Sequence, residues 1–128
     1  MTESEIDLVY RVSQHPAWLW DVGMLGVSVS SETVFSGGLS RKRCTRRGAK
    51  LVGFGPSLYD AYTVYLVWES IKRFNLPEYL LVTVVEGGVY KVGFKRGKNP
   101  TVILYSSVVE GRVAVRMWLW CVSRHVNV

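Results

Sequence analysis

The sequence predicts an α+β fold. An antiparallel sheet, made of a hairpin plus a three-strand meander, carries one long central helix, in the order αββαβββ with a further terminal segment. Three observations carry that prediction. A strongly apolar stretch at residues 57 to 75 is bracketed by Pro56 and Pro77 and has helical spacing. Short runs rich in β-branched residues lie on both sides of it, cut by glycine pairs and other turn residues. The chain has 128 residues, 48% hydrophobic and 20% charged, which suits a single domain (residues 1 to 128) with its own core.

The elements follow in order. Residues 4 to 14 read as a short helix, with Ser4 as N-cap and Asp7 three residues on in a capping-box-like arrangement. Ile6, Val9 and Tyr10 fall on one side, and His15-Pro16 marks the end. Residues 22 to 30 and 32 to 36 have strand character, with Ser30-Ser31 as the hairpin turn and Gly37-Gly38 closing the second strand. Residues 41 to 56 lack apolar periodicity and read as a basic, flexible loop. The central helix is expected to start at the N-cap Ser57, with Asp60 behind it. Leu58, Tyr62, Tyr65, Leu66 and Ile71 are its expected core stripe. Tyr59 and Trp68 widen the apolar face beyond what a lone helix needs, so two covered sides are expected.

Residues 79 to 86 and 89 to 95 form strands around the hairpin signal Gly87-Gly88. A second turn at 96 to 100 leads to a third strand at 101 to 106. Residues 108 to 125 fit either structure. Val113, Val115, Met117 and Leu119 alternate as in a strand, while Ser107 with Glu110 makes the capping-box pattern of a helix. Gly111 weakens the helix by about 1 kcal/mol.

Together, 26 to 40 (GVSVSSETVFSGGLS), 76 to 94 (LPEYLLVTVVEGGVYKVGF) and 101 to 117 (TVILYSSVVEGRVAVRM) resemble the Roadblock/LC7 (MglB-like) domain family. The resemblance covers roughly residues 4 to 125. It implies a profilin/Roadblock-like fold and a homodimer in which central helices pair and sheets join. It further implies docking of a small Ras-like GTPase or a regulatory scaffold. On that basis Tyr62, Tyr65 and Trp68 are the expected dimer seam. The basic run and the Trp118, Trp120 tail depart from the family's pattern.

Charge points elsewhere. The chain carries 16 basic and 10 acidic residues, a net +6. Arg41, Lys42, Arg43, Arg46, Arg47 and Lys50 account for the whole excess, and no acidic residue lies between Glu32 and Asp60. Such a run can hold phosphate backbone without sequence preference, meet an acidic partner protein or a membrane surface, or stay solvated. The second functional expectation is therefore a small nucleic-acid-binding protein using residues 41 to 50, helped by Lys95, Arg96 and Lys98. Tyr90, Phe94 and Tyr105 lie on strands beside those bases, where they can stack bases or fill the core, the latter being the preferred reading.

No enzyme is expected, and neither a cofactor nor a metal. His15 and His125 lie near opposite ends without convergent partners. Cys44, amid cations, is either a reactive thiol or an incidental loop cysteine, with the second preferred; Cys121 reads as core. The glycines of 53 to 56 match no phosphate-loop pattern. There is no apolar run of membrane-spanning length, and the acidic N-terminus is unlike a signal peptide, so a cytoplasmic protein is expected. Scarce amides (Gln14, Asn75, Asn99, Asn127) suit a hot-habitat, archaeal source, with a virus or mobile element in view for the nucleic-acid reading.

Overall fold

The structure, a computed structural model, describes residues 4–29 and 40–125. Among the described residues it is α+β, with two three-stranded antiparallel sheets where the sequence led us to expect one. The described elements run α1 (Glu5–Gln14), β1 (Leu25–Ser28), β2 (Arg41–Arg43), β3 (Phe54–Pro56), α2 (Ala61–Ile71), β4 (Leu80–Glu86), β5 (Val89–Lys95), β6 (Val102–Ser107) and α3 (Glu110–Arg124). The chain divides into two compact units, Met1–Leu66 and Val67–Val128.

In the first unit, Ser4 caps α1 as its spacing predicts. Its Oγ accepts from the Asp7 amide at 3.2 Å and donates to Asp7 Oδ2 at 2.7 Å. The buried stripe is Leu8, Val9 and Val12; Ile6 and Tyr10, expected beside Val9, are exposed. The helix stops at His15, whose Nδ1 accepts from the Ala17 amide at 3.0 Å.

Strand β1 pairs antiparallel with β2 on one side and β3 on the other. The strand expected at 32 to 36 and its Ser30-Ser31 turn lie outside the described residues. Residues 41–43 and 54–56, expected to be loop, are strands. Among the described residues both lie at sheet edges, where charged side chains and proline are tolerated. The β2 pairing continues past the strand, since the Cys44 amide donates to Met24 O and the Gly23 amide to Cys44 O, each at 2.8 Å.

One face of this sheet carries Leu25, Val27, Arg41, Arg43 and Gly55, because directly paired residues share a face. Helix α1 packs there over β3. Gly55 permits the approach: a Cβ on it would lie 2.7 Å from Val9 Cγ2 and 2.8 Å from Val9 O. A second cluster holds Trp20, Met24, Cys44 and Leu51, with Trp18, Ala49, Phe54 and Leu66 packed against it. Trp18 and Trp20 meet edge to face at 5.5 Å.

Helix α2 is shorter than the expected 57 to 75, and its cap is Asp60, not Ser57. Asp60 Oδ2 accepts from the Thr63 amide at 3.0 Å and the Thr63 hydroxyl at 2.7 Å. Ser57 Oγ instead accepts from the Tyr59 and Asp60 amides, shaping the turn that leads in. Thr63, Val64, Val67 and Ile71 are the buried side, while Tyr62 and Tyr65, expected in the core stripe, are exposed. The helix tightens out through Arg73 N to Ser70 O and Phe74 N to Ile71 O bonds.

In the second unit β4, β5 and β6 form the meander that the turns predict. Gly87 and Gly88, with φ +57° and +77°, make the two-residue turn between the paired ends Glu86 and Val89. Between Val92 and Gly93 the β5–β6 register shifts by a bulge. Residues 110–124, ambiguous in sequence, are helical. The expected Ser107–Glu110 capping box is not formed. Val109 is the N-cap, Ser107 Oγ accepts from the Val109 amide, and Glu110 Oε1 accepts from Trp68 Nε1. Val113, Ala114, Met117, Trp118 and Cys121 form its buried stripe. Trp118 donates to Ser70 Oγ at 3.1 Å, and Trp120 stacks on Phe94 at 5.1 Å with Tyr79 edge-on to both. Half-buried Phe94 thus packs against α3.

Candidate nucleic-acid interface

The six cations of the basic run stand on an edge strand and the tight turn after it. Arg41, Lys42 and Arg43 are the whole of β2 and are all exposed. Strand geometry puts Arg41 and Arg43 on the sheet face that meets α1, and Lys42 on the other. Cys44 ends the strand as an anchor, with its side chain 1% exposed and its Sγ donating to Arg46 O at 3.1 Å. It is a core residue, neither a reactive surface thiol nor an incidental loop cysteine. Past it the chain turns: the Gly48 amide donates to Trp20 O and the Ala49 amide to Arg46 O. Gly48 takes φ +78° there, a conformation costly to any residue with a Cβ. Arg46, Arg47 and Lys50 are exposed on this turn.

Arg43 is the most constrained of the six. Its guanidinium donates to Gly23 O at 2.7 Å and lies 3.7 Å from Asp60 Oδ1. The Thr63 hydroxyl bond chiefly, with its amide and then Arg43 adding, holds the Asp60 carboxyl below its usual range despite partial burial.

The remaining predicted contacts belong to the second unit. Lys95 ends β5, while Arg96 donates to Glu78 at 2.8 Å and lies 5.8 Å from the Tyr79 ring centre. Lys98 sits exposed in the turn that follows. Of the expected seam residues, Tyr62 and Tyr65 lie side by side with ring centres 6.1 Å apart, both about half exposed. Trp68 is half-buried, its indole N–H engaged by Glu110.

Beside β2 the first unit holds a cavity of about 610 Å³. Its floor is Leu25 and Val27, its walls Ile6, Val9, Pro56 and Leu58, and its polar lining includes Glu5, Arg41, Ser57, Tyr59 and Asp60. The Tyr59 hydroxyl donates to Glu5 Oε1 at 2.6 Å, bridging α1 to the segment before α2. Sequence reasoning missed this site, because residues 5, 41 and 59 converge only through the β1–β2 and α1–β3 packing. No local spacing announces it.

The second unit has its own groove of about 450 Å³, lined by Trp68, Ile71, Leu81, Val85, Tyr90, Val92, Val113 and Met117 among others. Burial pushes the Cys121 thiol up to about 12, which leaves it protonated and unreactive at neutral pH. His125 Nδ1 accepts from the Asn75 amide at 2.7 Å. Among the described residues no group of three His, Cys, Asp or Glu side chains is placed to hold a metal ion. No described helix is long and apolar enough to cross a membrane. Comparison with known protein families, with curated proteins and with solved structures finds no match.

Proposed function

We propose that this chain is a non-enzymatic nucleic-acid-binding protein whose β2 strand and following turn hold the phosphate backbone. One observation carries the reading. Arg41, Lys42, Arg43, Arg46, Arg47 and Lys50 are all exposed on a short strand and turn, and the only carboxylate paired with them among the described residues is Asp60, on Arg43. A strand and turn hold cations in register at lower entropic cost than a free loop, which favours phosphate contact over simple solvation. Binding of this kind releases counterions, so log K falls linearly with log salt. Fluorescence anisotropy with a labelled oligonucleotide at two salt concentrations tests it. Changing Arg41, Arg43, Arg46 and Arg47 to Ala should weaken binding and flatten the slope by about 0.7 per lost contact on a single strand. Absence of binding at low salt, or binding unchanged in that variant, refutes the reading.

A second reading is the homodimeric scaffold for a small GTPase that the Roadblock/LC7 resemblance implies. Two features favour self-association: the exposed Tyr62–Tyr65 pair on α2, and the apolar edge strand β4, with Leu80 and Val85 about two-thirds exposed.

A further inference from the structure

We infer that the cavity beside β2 receives a single unpaired nucleobase, so that the nucleic acid held by this protein is single-stranded. The inference rests on the reading of β2 as a phosphate-binding strand and adds what lies next to the phosphate. Arg41 belongs to both places: it is the first residue of the cationic strand and it lines the cavity. A nucleotide with its phosphate on β2 therefore has a recess of about 610 Å³ within reach of its base, in the size range of small-ligand sites.

The lining matches a base and mismatches a phosphate. Ile6, Val9, Val27 and Leu58 offer apolar contact to the flat faces of a ring. Glu5 and Asp60 would repel a phosphate group, but their carboxylates accept hydrogen bonds from the amino groups of adenine, cytosine and guanine. Glu5 uses Oε1 for the Tyr59 hydroxyl and keeps further acceptor capacity at its other oxygen. That same bond ties Tyr59, which is 68% exposed, beside the cavity, where its ring can stack on a base. A duplex keeps base faces buried in the stack, so only an unpaired base can enter the recess and meet its apolar walls and its carboxylates together.

Anisotropy titrations with labelled oligo-dA, oligo-dT and a duplex of equal length distinguish the possibilities. The single strands should bind about tenfold or more tightly than the duplex, and oligo-dA more tightly than oligo-dT, which lacks the amino group. Tyr59→Ala should weaken single-strand binding by about tenfold and leave the duplex unaffected. Ile6→Trp, at a surface-accessible lining position, should fill the recess and produce the same selective loss. Duplex binding as tight as single-strand binding, with both variants unchanged on single strands, overturns the inference while leaving β2 as a phosphate site. Failure of the wild-type protein to bind any of the three probes overturns the reading of β2 and this inference with it.

Discussion

Asp60 illustrates how one side chain serves two structures. It caps α2 through Thr63, and through Arg43 it fixes the last cation of β2. Thr63 in turn accepts from the Leu25 amide through Oγ1 at 2.8 Å, so the cap is tied to β1 as well. The carboxyl is held below its usual value of 3.8, first by the Thr63 hydroxyl. A depressed carboxylate stabilises the fold when ionised. Its contribution is complete above the unfolded value and is lost as pH falls through the folded one. Asp60→Ala should therefore cost about 1 kcal/mol in a urea melt at neutral pH. The deficit against wild type should shrink below about pH 4; a deficit undiminished in acid would contradict this account. From the pattern S-x-x-D, Ser57 is the expected cap with Asp60 behind it. What decided the matter was the pairing of Thr63 with β1, a contact that no local spacing reports.

At the scale of elements, legibility followed the range of the interactions. Helix α1 and the β4–β5–β6 meander were readable because caps, glycine turns and apolar periodicity are local signals. Strands β2 and β3 were not. Each has three residues, one wholly cationic and one ending in proline, and each is a strand only because β1 lies beside it. The terminal helix was undecidable by alternation alone; burial of Trp118 and Cys121 four and seven residues beyond Ala114 resolves it. The contact of α1 with β3 depends on Gly55, which the sequence placed in a plain connecting loop. Gly55→Ala should force α1 away from the sheet and cost about 1–3 kcal/mol, read from the denaturation midpoint. An alanine variant as stable as the wild type would mean that α1 does not rest on β3.

For the whole molecule, the arithmetic of charge was legible and its presentation was not. The sequence located the entire net charge of +6 in one run. Only the fold shows that run as an edge strand with a buried cysteine at its end, next to a recess lined by Glu5, Arg41 and Tyr59. Oligomeric state belongs to this scale too. If α2 forms a seam between two copies, sedimentation equilibrium should give a dimer for the wild type and a monomer for Tyr65→Glu, with unchanged circular dichroism. A monomeric wild type at high micromolar concentration removes the scaffold reading and leaves the nucleic-acid reading untouched. The Gly87-Gly88 turn also bears on time. A hairpin with both turn residues pre-disposed to positive φ can close in about 1–10 μs. Strand β1, by contrast, waits for partners far along the chain, and a longer loop must close before its sheet gains a hydrogen bond. The meander is thus expected to form early in refolding and the cationic strand with its recess late, an order that pulse-labelled amide exchange would read.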